Sequence, residues 1–310
     1  MKNHEIITLT VNPALDKSAH FTGLVPEQKI RCQQPSFDAG GGGINVSKAI
    51  SRLGGDSLAV FTAGGPTGEM IKELLVKESV AIDPIAVQNW TRESFVAVDD
   101  NTNSQYRFGF PGAVISEEEI DTILKKAAAF SSHFLVLSGS LNEGLPLDFY
   151  KQIAVLAKKS GTKVIADTSG ASLEKVLETG VYLIKPNVGE LAKLVGEASL
   201  EMEEVNEAAK KIIAKGGAEI VVVSLGPQGA VLVTKDSYDY VPAPNVVKKS
   251  TVGAGDSMVG GMVWALSQNK NLSEVIRWGV ACGSAATMND GTQLFKVEDA
   301  KRLFEWLKGK

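Results

Sequence analysis

Two glycine-rich stretches hold the residues best suited to chemistry. Thr251-Val252-Gly253-Ala254-Gly255-Asp256-Ser257 runs into an apolar segment with further small residues, Gly260 and Gly261. The pattern predicts a helix over Ala254–Ser267, so N–H groups from Gly253 to Asp256 would form an anion hole reinforced by the helix dipole. Asp256 inside that hole would compete with a bound anion unless it faces a second substrate. As a general base it would take a proton from an alcohol while the N–H groups hold charge on a transferring phosphoryl group. The plainer reading of the same residue is an N-cap aspartate. The second stretch, Gly40-Gly41-Gly42-Gly43-Ile44-Asn45, also precedes an apolar helix. Residues without Cβ atoms let a ligand lie against bare backbone at a helix start, and Asn45 adds a donor and an acceptor. A flexible turn is the alternative. The spacing fits neither G-x-G-x-x-G nor G-x-x-x-x-G-K-[ST], so neither a dinucleotide site nor a P-loop is indicated.

An alternating α/β chain must position these stretches. Ile6–Val11, Ser57–Thr62, Phe134–Leu137, Lys163–Ala166, Tyr182–Ile184 and Ile220–Ser224 read as buried strands. Between them, Ile44–Leu53, Thr67–Lys77, Glu117–Phe130, Leu147–Lys159, Ala171–Leu177 and Glu203–Lys215 read as helices, one of them opened by a Ser116/Glu119 capping box. Helices over Leu272–Met288 and Val297–Lys308 follow the one at Ala254. The expected fold class is α/β, Rossmann-like, a mostly parallel sheet with helices on both faces. Ser18–Phe37 and Thr91–Phe110 break the pattern with partly polar alternation and no following helix. They predict antiparallel strands of a small, discontinuous β lid, from about 17–37 and 91–110, on a single domain of 1–310.

Composition narrows the partners. The 310 residues carry a formal charge of −4, which gives no global pull toward nucleic acid or an anionic membrane. The apolar stretch Ile6–Leu15 is too short for a membrane span and has acidic flanks, Glu5 and Asp16, unlike a signal peptide. Cys32 and Cys282 are the two cysteines, which excludes a disulfide scaffold and a zinc ribbon. A reducing, cytoplasmic location is expected.

The glycine cluster with Asn45, Asn187-x-x-Glu190 and Gly253-Ala254-Gly255-Asp256-Ser257 occur in this order along the chain. With Lys29-x-Arg31-Cys32, Trp90-Thr91-Arg92, Gln105-Tyr106-Arg107-Phe108, Ser138-Gly139-Ser140-Leu141 and Lys185-Pro186-Asn187, they resemble the ribokinase-like (PfkB) carbohydrate kinases over essentially the whole chain. Within that family the likeness is to the phosphofructokinase branch, on the side of its bacterial isozyme 2 members. The resemblance implies ATP-dependent phosphorylation of fructose 6-phosphate at the 1-hydroxyl. Fructose 1-phosphate and tagatose 6-phosphate are the alternative acceptors, and a non-catalytic sugar-binding regulator is the alternative of a different class. It also implies roles for individual residues. Asp256 would be the base, with Gly253, Ala254 and Gly255 as the anion hole and Lys29 beside them. Asp16, Gly41, Gly42, Asn45 and Ser140 would meet the sugar. Arg92 and Arg107, with Lys29, would meet its phosphate, and Arg31 would contribute, including to a neighbouring subunit. Lys185, Asn187, Ser224, Gly226 and Gly229 would line ATP. Asn187 and Glu190 would organise Mg²⁺ largely through water, as suits a cation that dehydrates reluctantly. Carbonyls around Val252, Ala286 and Asn289 form a candidate K⁺ site. Two stretches depart from relatives, with Val188-Gly189 and Gln293 standing where some carry a basic residue. A homodimer through the lids is expected, covering strand edges and an apolar face with Ile30, Phe95 and Val98.

Overall fold

A computed structural model describes residues 4–309. The chain opens with β1 (Ile6–Thr10), then leaves the core sheet for β2 (Ala14–Phe21) and β3 (Ser36–Gly40) before helix α1 (Gly42–Arg52). It returns through β4 (Ser57–Ala63), α2 (Gly65–Lys77) and β5 (Ala81–Ala86), then makes a second excursion as β6 (Arg92–Asp99) and β7 (Ser104–Gly109). Alternation resumes with α3 (Glu117–Ala128), β8 (Phe134–Ser138), α4 (Phe149–Lys159), β9 (Lys163–Asp167) and α5 (Gly170–Leu177). It continues through β10 (Val181–Ile184), α6 (Val188–Val195), α7 (Val205–Ala214) and β11 (Ala218–Ser224). The hairpin β12 (Ala230–Val233) and β13 (Tyr238–Val241) precedes α8 (Ala254–Ser267), α9 (Leu272–Ala286) and α10 (Val297–Lys308).

The core sheet runs β13-β12-β11-β10-β9-β8-β1-β4-β5, parallel except for the β11–β12 and β12–β13 pairs. Its strands are apolar on both faces because helices cover both. Side chains alternate across a strand, so Ile7, Leu9, Leu135 and Leu137 meet α3 to α7, through Ile123, Tyr150, Leu173, Leu191 and Ile212. Ile6, Phe134 and Val136 point the other way, with Val46, Val259, Met262, Ile276 and Phe304 of α1, α8, α9 and α10. The order of strands reverses between β1 and β8. Ligands of open α/β sheets bind outside the carboxyl ends at such a reversal. No helix among the described residues is long and apolar enough to cross a membrane.

The lid is a second sheet, ordered β3-β2-β6-β7. The outer pairs β2–β3 and β6–β7 are antiparallel as expected, but the central pair β2–β6 is parallel. Both central strands leave the carboxyl-terminal edge of the core sheet and run outward, which fixes their common direction. Residues 22–35 are not the expected strand. Pro26 and Pro35 cannot donate to a ladder, and Gly23 and Glu27 have positive φ, so one isolated bridge, Phe21 to Cys32, is what pairs there. Alternation along the lid turns Ala14, Asp16, Arg92, Ser94 and Val96 toward one cavity. The expected outer apolar face is different in detail. Val98 is 8% exposed, and Phe95 is half-buried under Phe108, ring centroids 6.0 Å apart, whereas Leu24 and Phe108 are 51% and 48% exposed.

Candidate active site

The reversal point carries a trough of three adjoining cavities. The first, of about 330 Å³, lies under the lid and is lined by Asp16, Gly41, Gly42, Asn45, Arg92, Arg107 and Asp256, with Ser94, Asp167 and Thr292. The second, of about 350 Å³, shares Gly139 and Asp167 with it and adds Ser140, Lys185, Asn187, Glu190, Ser224 and Gly255. The third, of about 560 Å³, shares Asn187, Ser224 and Gly255 with the second and extends over Gly226, Gly229, Ala243–Val246 and Thr287. The first is polar and charged. The third is mostly apolar, shaped by glycines and short side chains.

Asp256 lines the first cavity, and its neighbour Gly255 lines the second and third. Gly253, in left-handed conformation at φ 71°, precedes α8, and Asp256 is the third helical residue, so the N-cap reading of this aspartate does not hold. Helices α1 and α8 approach closely because Gly260 lacks a side chain: a Cβ there would come within 2.5 Å of Ala49 Cβ. That approach lets Asn45 Nδ2 donate to Asp256 Oδ2 at 2.8 Å. Burial pushes the Asp256 carboxyl up to about 6, aided by Asp167 and Asp16 and opposed by Asn45 and Lys185. Such a carboxyl is ionised at neutral pH yet basic enough to accept a proton.

The glycine run does more than bare the backbone to a ligand. A Cβ on Gly40 would overlap the Asp16 carboxylate, and one on Gly42 would overlap Ser138 Oγ. The run therefore seats α1 against β2 and the end of β8, while Gly41 and Gly42 still line the cavity. Burial also carries Asp16 up to about 6, with Asp38 adding to the rise and Arg92 and Lys48 opposing it. Asp38 faces Asp16 across β2–β3 and accepts from Thr292 Oγ1 at 2.6 Å. Burial lowers the Arg92 pKa, and Asp16 acts against that.

The middle cavity collects opposite charges. Lys185 Nζ lies 3.4 Å from Asp167 Oδ1. Burial works against its charge, but Asp167, Asp256 and Glu190 outweigh it and hold the ammonium above its ordinary pKa. Asn187 and Glu190 form a capping box at the start of α6, with Glu190 N donating to Asn187 Oδ1 and Asn187 N to Glu190 Oε2. Among the described residues no group of three or more His, Cys, Asp or Glu is gathered to hold a metal. The donors facing this cavity, Asp167 and Glu190, are oxygen ligands suited to a hard cation that arrives with its own waters.

Not every expected residue reaches the trough. Lys29 and Arg31 are exposed on the 22–35 loop and line none of the three cavities. Ser140 borders the middle cavity and not the one under the lid. Val252 precedes α8, while Ala286 and Asn289 lie at the end of α9 and just beyond it. Asp167, Thr292 and the Ala243–Val246 loop are site residues that sequence reasoning missed.

Residues 5–300 match the model of the pfkB family carbohydrate kinases. The chain is 42% identical over 304 residues to ATP-dependent 6-phosphofructokinase isozyme 2 of Escherichia coli (strain K12), spanning 97% of this chain and 98% of that protein. It is 33% identical over 293 residues to 1-phosphofructokinase of Bacillus subtilis (strain 168), spanning 94% of this chain and 95% of that protein. Solved structures of Escherichia coli phosphofructokinase-2 with potassium, with fructose-6-phosphate, and in a tetrameric inhibited form share the fold. Their TM-scores are 0.95, 0.93 and 0.92 at 42%, 40% and 41% identity, covering 98% of this chain and 99% of that one.

Proposed function

The chain belongs to the pfkB family of carbohydrate kinases, and we propose that it transfers the terminal phosphoryl group of ATP to the 1-hydroxyl of fructose 6-phosphate. The products are fructose 1,6-bisphosphate and ADP. The observation that carries the reading is Asp256, oriented by Asn45 in the charged cavity, next in sequence to Gly255, which lines the middle cavity and the mostly apolar one. The complete Gly253–Asp256 stretch argues against a non-catalytic sugar sensor.

In this reading the sugar lies under the lid. Asp16 accepts from its hydroxyls, the Gly41–Gly42 backbone and Asn45 pack against it, and Arg92 and Arg107 bind its phosphate. Asp256 takes the proton of the 1-hydroxyl as that oxygen attacks the terminal phosphorus. The bond from phosphorus to the bridging oxygen of ADP breaks in the same step. N–H groups at Gly253, Ala254 and Gly255 hold the charge on the transferring group, and Lys185 neutralises it from the middle cavity. Adenine lies over Ser224, Gly226 and Gly229, where flat surfaces meet backbone. Asn187 and Glu190 would hold a hydrated Mg²⁺, which would supply charge neutralisation to the phosphates of ATP. Val252, Ala286 and Asn289 remain the candidate K⁺ site, supported by the potassium complex of the Escherichia coli protein. The unpaired Cys32 and Cys282 suit the cytoplasm.

The test is ADP release across four acceptors. Fructose 6-phosphate is expected to give the highest kcat/KM, and free fructose to be a poor acceptor. Equal use of free fructose would end the reading, and a clear preference for fructose 1-phosphate or tagatose 6-phosphate would reassign the acceptor.

The lids are proposed to pair two chains. Leu24, Val25 and Phe108 are exposed apolar residues of this segment, and β3 and β7 are open edges. Lys29 and Arg31, exposed on the same segment, would then reach the partner's site. At micromolar concentration the protein is expected to sediment at twice the chain mass, and Phe108→Asp to shift it toward the monomer. A wild-type monomer, or a dimer indifferent to that change, overturns the lid interface.

A further inference from the structure

Asn12 sits in the three residues between β1 and β2, where the core sheet ends and the lid begins. Its side-chain amide is held from two directions. Arg92 Nε donates to Asn12 Oδ1 at 2.9 Å, and Arg92 Nη2 donates to the Asn12 backbone oxygen at 3.4 Å. On the other side Asn12 Nδ2 donates to Ser140 Oγ at 3.1 Å and to Leu141 O at 3.4 Å. The amide has one orientation that serves both sides, because turning it over would set its NH₂ against the guanidinium. Gly112 gives it room, since a Cβ there would overlap Asn12 Oδ1.

These contacts join three pieces of chain. Arg92 is the first residue of β6, in the lid; Ser140 and Leu141 follow β8, across the strand-order reversal from β1. A guanidinium is a rigid fork, so fixing one edge sets the direction of its other N–H groups. We propose that Asn12 is a positioning residue for Arg92, holding the guanidinium in the orientation that receives the phosphate of the acceptor sugar and tying that lid cation to the core sheet. The inference rests on Arg92 being a phosphate ligand, as read above. Asparagine suits the task better than its neighbours in size. Alanine would free the guanidinium to sample other rotamers. Aspartate would cancel the charge a phosphate needs and set an oxygen against the Leu141 carbonyl.

The test is a double-mutant cycle with fructose 6-phosphate and ATP, read as separate KM and kcat values. Asn12→Ala is expected to raise the acceptor KM about tenfold and leave kcat and the ATP KM within about twofold, as for a coupled pair. Added to Arg92→Ala, it is expected to cost less than about a further twofold, because the group it positions is already gone. Asn12→Asp, nearly the same shape, is expected to raise the acceptor KM as well and serves if the alanine variant folds poorly. An unchanged acceptor KM in the folded variants, or a loss that multiplies fully with that of Arg92→Ala, overturns the positioning role. An Arg92→Ala enzyme with an unchanged acceptor KM overturns the phosphate reading itself, and the inference with it.

Discussion

Asp256→Asn is expected to lower kcat by about two to four orders of magnitude, the scale of losing a general base, while ATP and the sugar still bind. The amide keeps the shape of the carboxylate and an oxygen for Asn45 Nδ2 to meet, so the 2.8 Å contact survives and the basic lone pair is what disappears. In the wild-type protein the acid limb of kcat/KM should centre near pH 6, where the Asp256 carboxyl titrates. The variant is expected to lose the Asp256 share of that dependence and to keep the share of Asp16, whose carboxyl is also raised to about 6. Stability gives an independent control. The carboxyl titrates near 3.8 when unfolded and near 6 when folded, so the fold holds the proton more tightly than the open chain does. The stability gained from protonation is full below pH 3.8 and is lost as pH rises through 6. Asparagine has no charge to desolvate, so the variant should melt above wild type at pH 7 and close to it in acid. Near-normal kcat in such a protein would remove Asp256 from the chemistry.

Arg92→Ala is expected to reduce kcat/KM for fructose 6-phosphate by about one to two decades, equivalent to losing a charged hydrogen-bond partner worth roughly 1.5–3 kcal/mol. Arg92 lines the cavity under the lid together with Arg107, and two like charges in one cavity favour an anion between them. Free fructose brings no such anion, so its slow reaction should hardly change. The ratio of the two kcat/KM values isolates the phosphate contribution from any general damage. An equal loss for both acceptors would mean that Arg92 supports the lid and does not read the phosphate.

The sequence marks the groups that need glycine or a helix start far better than it marks their supports. The Gly40–Asn45 and Gly253–Ser257 stretches announce themselves locally, because bare backbone at a helix start has few other uses. The strands β1, β4, β8, β9, β10 and β11 are legible as apolar runs for the same local reason. By contrast, Pro84 disguises β5, although proline is tolerated on an edge strand such as this one. The hairpin β12–β13 and the short α6 lie outside the helix and strand runs that periodicity picks out. Asp167 is a single carboxylate at a strand end, and its partner Lys185 belongs to the next strand's end. Asn12 is quieter still, with partners 80 and 128 positions away. Lone polar residues carry no periodicity, so only the folded chain shows what they hold.

The pleat of the lid also constrains how such a chain can change length. Arg92, Ser94 and Val96 share a face because each lies two positions along the strand from the next. Deleting one residue between Arg92 and Val96 would turn part of that set outward and bring Glu93 or Phe95 toward the sugar. The 22–35 loop has no ladder to keep in step, so a change in its length leaves unaltered which residues of β2 and β6 face the cavity in the same chain, although it would move Lys29 and Arg31. Related chains that differ in lid length should therefore carry the difference there or in the turn at 100–103, leaving the inner strands at constant length.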